Sequence, residues 1–256
     1  MNFVQIAADI ISKNSLVMSF AVVAVMMVAG YRLSALLGEK RFGSAVAIVI
    51  GLVLALIAGK YTGGSKGIAD IKILSGFGVL GGAMFRDYAI ISTAFGANIE
   101  ELKKAGVAGI VSLFVGVIFS FVVGAAFAIA FGFKSAVDVT TIGAGAVTFI
   151  VGPVTGGALG ASSAVVALSI AAGVVKSVLC MIITPLVAPY IGLNNPQSAM
   201  VFGGLLGTTS GVAGGLAATD PKLVPYGAMT ATFYTGLGCL LAPSVLFMIV
   251  RAILGS

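Results

Sequence analysis

The chain has no histidine and no tryptophan, only two cysteines, and charged side chains at just 9% of its 256 positions. Each scarcity excludes something. Without histidine, no imidazole metal site and no Ser-His-Asp relay can form within the chain. Cys180 and Cys239 both lie in apolar runs, so they read as small buried hydrophobes and not as a metal or disulfide framework. The missing tryptophan leaves an interfacial aromatic belt to tyrosine and phenylalanine. The shortage of charge excludes most, because a soluble domain carries about 25% charged residues to cover its surface.

What fills the chain instead is 59% apolar residues and 36 glycines. The apolar runs are continuous and do not alternate with polar residues, which argues for helices and against an outer-membrane barrel. A spanning helix needs about 20 apolar residues, so the length supports about eight hydrophobic segments. The expected fold is an all-α polytopic membrane protein, with some Gly-rich helices broken or re-entrant. Fourteen basic against eight acidic residues give a net charge of +6. In a chain of this composition that excess fits cytoplasmic loops and attraction of anions, with no nucleic-acid partner.

The whole chain reads as one integral membrane domain. Residues 1–14 read as an amphipathic interfacial helix. The run that follows, to residue 37, exceeds a signal-peptide core and is expected to be retained as a span. Residues 15–60 hold two clean apolar spans, suited to a scaffold. From residue 73 to 254 the texture changes to three pairs, each a Gly-rich segment followed by a long apolar run. The Gly-rich members are 73–96, 139–160 and 198–218, and their companions are 105–131, 164–190 and 224–254. Repeats of this kind are common in secondary transporters.

Chemistry at membrane depth belongs in broken polar stretches, because irregular backbone there must be buried or line a cavity. The first such stretch runs from Thr140 to Gly157 and contains Pro153 between glycines, where an unwound break is expected. Thr148, Gly152 and Thr155 there offer hydroxyl and carbonyl oxygens of the kind a hard cation prefers. Ser162 and Ser163 mark a helix start that favours an anion. The second stretch is Gly203-Gly204-Leu205-Leu206-Gly207-Thr208-Thr209-Ser210-Gly211. Its three successive hydroxyls, with Gly211, would aim donors at a carboxylate, and Thr208 would also serve sodium. For both stretches the alternative is close helix packing by small residues. A third hydroxyl group places Thr230 and Tyr234 on one helix face, where hydrogen bonding between helices is expected.

Three charges complete the set. Arg86 would face a dianionic substrate, and Asp87 would bind sodium or a proton, unless both sit at the membrane edge. Lys176 lies in mid-run and requires a partner, for which a substrate carboxylate or an aspartate is expected.

The runs Thr141-Ile142-Gly143-Ala144-Gly145-Ala146-Val147-Thr148, Ile150-Val151-Gly152-Pro153-Val154-Thr155-Gly156 and Thr208-Thr209-Ser210-Gly211-Val212-Ala213-Gly214-Gly215 resemble the MadM family. So do Gly81-Gly82-Ala83-Met84 with Arg86-Asp87, and Ala217-Ala218-Thr219-Asp220-Pro221. The resemblance covers nearly the whole chain. It implies uptake of malonate coupled to sodium, a small MadL-like partner subunit, and the bacterial cytoplasmic (inner) membrane. It implies no catalytic residue and no cofactor beyond sodium as coupling ion. The rival readings are the membrane subunit of a sodium-pumping decarboxylase complex, and a channel or structural subunit.

Overall fold

The computed structural model describes residues 9–36, 43–63, 67–79, 103 and 106–255. All regular structure among them is helical. The chain divides into two compact units, Met1–Asp87 and Tyr88–Ser256.

In the first unit, residues 9–13 are helical and lead into α1 (Ser15–Leu36), which is followed by α2 (Gly43–Thr62). At 1.5 Å per residue, the 22 residues of α1 cover about 33 Å, enough to cross the ~30 Å hydrocarbon layer. The two helices pack through small residues. A β-carbon on Gly30 would stand 2.8 Å from the Ala47 β-carbon. Two 3-10 turns, Gly67–Asp70 and Lys72–Leu74, precede the short helix α3 (Gly76–Val79). Most of the Gly-rich segment 73–96 lies outside the described residues.

The second unit alternates long and short helices. The long ones are α4 (Gly106–Ala130), α7 (Ser163–Val187) and α10 (Val224–Leu241). A π-helical turn, Ala242–Leu246, containing Pro243, carries α10 on into α11 (Phe247–Leu254). Among the described residues four helical stretches are long and apolar enough to cross a membrane: α1, α4, α7 and Pro221–Leu254. Val111, Phe114, Ile118, Phe119 and Val122 form an exposed apolar stripe on α4, as a lipid-facing helix requires.

Between the long helices lie two short pairs. The first is α5 (Ala136–Val147) and α6 (Val151–Leu159), and the second is α8 (Pro196–Leu206) and α9 (Thr209–Thr219). The 9 to 12 residues of each arm give only about 14–18 Å, half a membrane. Each pair is a helical hairpin whose arms are too short to cross. In the first, a β-carbon on Gly152 would meet Gly145 Cα at 2.9 Å, and one on Gly156 would meet Thr141 Cγ2 at 2.9 Å, so the arms run antiparallel. In the second, both arms straddle α10. A β-carbon on Gly227 would meet Ala199 O of α8 at 3.2 Å and Val212 Cγ1 of α9 at 3.0 Å. The chain reverses between them at Gly207, whose φ of +67° suits glycine.

The two hairpins enter from opposite ends. Along α7, Val166, Ser169 and Gly173 face the first hairpin, while Ser177, Cys180, Met181 and Thr184 face the second. Along α4, Gly116 lies against Leu205, and Gly124 against Gly143. Along α10, Gly207 abuts the Tyr234 ring, and Gly238 lies against Val147 and Val151. Every long helix of this unit thus gives one half to each hairpin. The tips reach neighbouring residues, Lys176 and Ser177, near the middle of α7.

Candidate substrate and ion site at two hairpin tips

The first hairpin turns at Thr148, whose backbone is extended (φ −152°, ψ 159°). Thr148 Oγ1 accepts from the Ile150 and Val151 N–H groups at 3.3 and 3.2 Å, which caps α6. The break therefore falls at Thr148–Ile150 and not at Pro153. Pro153 is the third residue of α6, in the first turn, where a missing N–H costs no intrahelical bond.

Gly173 lets this tip approach α7. A β-carbon there would sit 2.5 Å from Phe149 Cα and 2.7 Å from Gly145 O. One turn further on, Lys176 reaches the end of α5. Its Nζ donates to Val147 O at 2.9 Å, to Ser120 Oγ at 2.9 Å and to Tyr234 Oη at 3.1 Å. It also stands 5.0 Å from the centre of the Tyr234 ring, within cation–π range. An ammonium has three N–H donors, and these three oxygens match them. Tyr234 is fully buried; its hydroxyl donates to Gly116 O at 3.0 Å and lies 2.9 Å from Ser120 Oγ.

The next residue of α7 serves the other tip. Ser177 Oγ touches Thr208 Oγ1 and lies 3.3 Å from Ser210 Oγ. Thr208 is the N-cap of α9, yet its side chain takes no cap hydrogen bond. The first N–H groups of a helix have no intrahelical partner, so Thr209, Ser210 and Gly211 present the donors of a helix N-terminus there. Gly211 allows the close approach, since a β-carbon on it would lie 2.8 Å from Ser177 O.

Of the residues predicted from sequence, Lys176, Thr208, Ser210 and Gly211 come together, with Thr209 beside them and exposed. Thr148 sits at the opposing tip as a helix cap. Gly152 is packed against Ser169, with a β-carbon position 2.8 Å from the Ser169 β-carbon, as close helix packing demands. Thr155 stands seven residues beyond Thr148, about 10 Å along α6. The hydroxyls of Thr148 and Thr155 therefore do not converge on one ion. Thr155 Oγ1 and Thr140 Oγ1 are buried with no hydrogen-bond partner among the described residues. Ser162 and Ser163 do mark a helix start, with Ser162 Oγ accepting from Val165 N–H at 3.4 Å. They stand at the exposed end of α7, fourteen residues and about 21 Å from Lys176, and do not join the tips. Arg86 and Asp87 lie outside the described residues. Thr230 bonds to carbonyls of its own helix, whereas Tyr234 bonds across to α4.

Sequence reasoning missed Ser120, Ser177 and the binding role of Tyr234. A signal for Ser120 was present: it is a lone hydroxyl in the apolar run of α4, and Lys176 at mid-span needed partners of that kind.

Two opposed helical hairpins that reach a half-buried lysine and clustered hydroxyls midway along long apolar helices are features of a membrane transporter. The particular kind follows from comparison. Residues 7–254 match the model of the malonate/sodium symporter MadM subunit, and the chain belongs to that family. It is the malonate transport subunit of a sodium symporter, a multi-pass protein of the bacterial inner membrane, and its work is transport and not catalysis. No curated protein and no solved structure matches the chain.

Proposed function

We propose that the two hairpin tips form the malonate site and that sodium binds at and beside them. The observation that carries this is the pair Lys176 and Ser177, adjacent on α7, one touching each tip. A dicarboxylate fits such a pair of ends. One carboxylate sits on the α9 N-terminus, held by Thr208, Thr209, Ser210 and Gly211 with Ser177, where N–H groups and the helix dipole favour an anion. Lys176 meets the other carboxylate.

One sodium ion binds at the tips through Thr148 and Thr208. A second binds at Thr155 with Gly152, and the support for this is the buried Thr155 hydroxyl, which has no hydrogen-bond partner among the described residues. Sodium takes oxygen ligands, as other hard cations do. The chain works with a small MadL-like subunit, and its eight hydrophobic segments comprise spans and re-entrant hairpins together.

The experiment is labelled malonate uptake into proteoliposomes, by this chain alone and with its small partner, with and without an inward sodium gradient. Sodium-dependent accumulation by the pair is the expected result. Uptake indifferent to sodium would point to a channel. Uptake that needs a biotin-carrier protein would point to a decarboxylase complex.

A further inference from the structure

The environment of Lys176 resembles a cation site more than an anion site. Its three hydrogen-bond partners among the described residues are neutral oxygens: a backbone carbonyl at a helix C-terminus and two hydroxyls. A helix C-terminus carries partial negative charge and favours a cation. Carbonyl and hydroxyl oxygens are also what a sodium ion takes. The three come from three separate elements, α4, α5 and α10, and close on one point. The ammonium therefore fills an oxygen cage that a free cation would suit.

We propose that Lys176 is a tethered cation that occupies a sodium site until malonate arrives. The inference rests on the transport reading above and deepens it. A carboxylate at the α9 N-terminus lies beside Ser177, the next residue along α7. The second carboxylate of the malonate bound there draws the Lys176 ammonium off Val147 O toward itself. The vacated oxygens of Ser120, Val147 and Tyr234 then accept the sodium ion that binds at the tips. Sodium binding at this point requires the substrate, and by linkage the substrate binds better with sodium. Sodium alone is refused, because the Lys176 side chain closes its cage until the carboxylate arrives. Tyr234 ties the exchange to the second hairpin, since its ring lies on Gly207 and its hydroxyl on Lys176.

The test is equilibrium binding of radioactive sodium to the purified complex of this chain with its small partner, in nanodiscs. In the native complex malonate is expected to tighten sodium binding about tenfold. In Lys176→Met, sodium is expected to bind about tenfold more tightly than in the native complex when no malonate is present. Adding Tyr234→Phe to Lys176→Met removes one oxygen and is expected to reverse that gain. A lysine that only binds substrate carboxylate would give no gain of sodium binding on removal, so an unchanged or weaker sodium affinity in Lys176→Met overturns the proposal. The native complex tests it independently of any variant: sodium binding unaltered by malonate also overturns it. Native complex that takes up malonate on a sodium gradient while failing these tests leaves the transport reading standing. Native complex that takes up none overturns both.

Discussion

A buried hydroxyl with no partner is a liability unless something else fills its valence, and Thr155 is the sharpest case. Leaving a hydroxyl unpaired in an apolar setting costs about 1–3 kcal/mol. Thr155→Val keeps the shape and removes the oxygen. It is expected to raise the thermal stability of the sodium-free protein while raising the apparent sodium constant for transport. Thermal unfolding and uptake assays on the same variant check both halves. Stabilisation with unchanged sodium dependence would make Thr155 a packing residue. Ser177 gives a complementary prediction, because its hydroxyl meets Thr208 and Ser210 at the α9 start. Ser177→Ala is expected to raise the malonate KM about tenfold, the loss of one hydrogen bond to a charged group, with smaller effect on the sodium constant. An unchanged malonate KM would remove Ser177 from the site.

At the scale of elements, the hairpins depend on backbone contact with α7. Gly173→Ala would drive a β-carbon into the Phe149 backbone, which cannot swing aside as a flexible side chain would. Overpacking of this kind costs about 1–3 kcal/mol, and here it also pushes the first tip away from Lys176. The variant is expected to lose most transport while remaining in the membrane, read as uptake per molecule of correctly inserted protein. Gly-rich stretches at 139–160 and 198–218 were legible in the sequence as sites of irregular backbone, because glycine, threonine and serine cluster there amid apolar runs. Broken or re-entrant helices were expected there, but where each segment folds back was not legible. It depends on which glycines face each other, as Gly145 faces Gly152, and composition does not record partners. The break in the first stretch was misplaced for a similar reason. Pro153 looks like the interruption, but a proline in a first turn is tolerated, and the Thr148 side chain makes the actual stop by capping α6. Lys176 was legible because a mid-span charge is rare. Its partners were not, since Ser120 and Tyr234 are 56 and 58 residues away and become neighbours only when three long helices align.

For the whole molecule, charge sets the coupling. A malonate dianion entering against an inside-negative potential loses about 2.3 kcal/mol per charge for each 100 mV. At membrane depth, each uncompensated charge adds about 3 kcal/mol or more. The central site already holds the Lys176 ammonium when empty. Malonate with two sodium ions leaves the net charge of the site unchanged, so loaded and empty forms would face the same barrier in crossing. One sodium would leave the loaded site with a net charge one unit lower, and three would leave it one unit higher. Two sodium ions per malonate is therefore the expected stoichiometry, and it matches the two places proposed above, at the tips and at Thr155. Uptake by the two-subunit complex should then vary as the square of the sodium gradient and be indifferent to an imposed potential. Proteoliposomes clamped with a potassium gradient and valinomycin measure this directly. Acceleration by an inside-negative potential would mean a third sodium ion, and slowing would mean that one of the two places is never filled during transport.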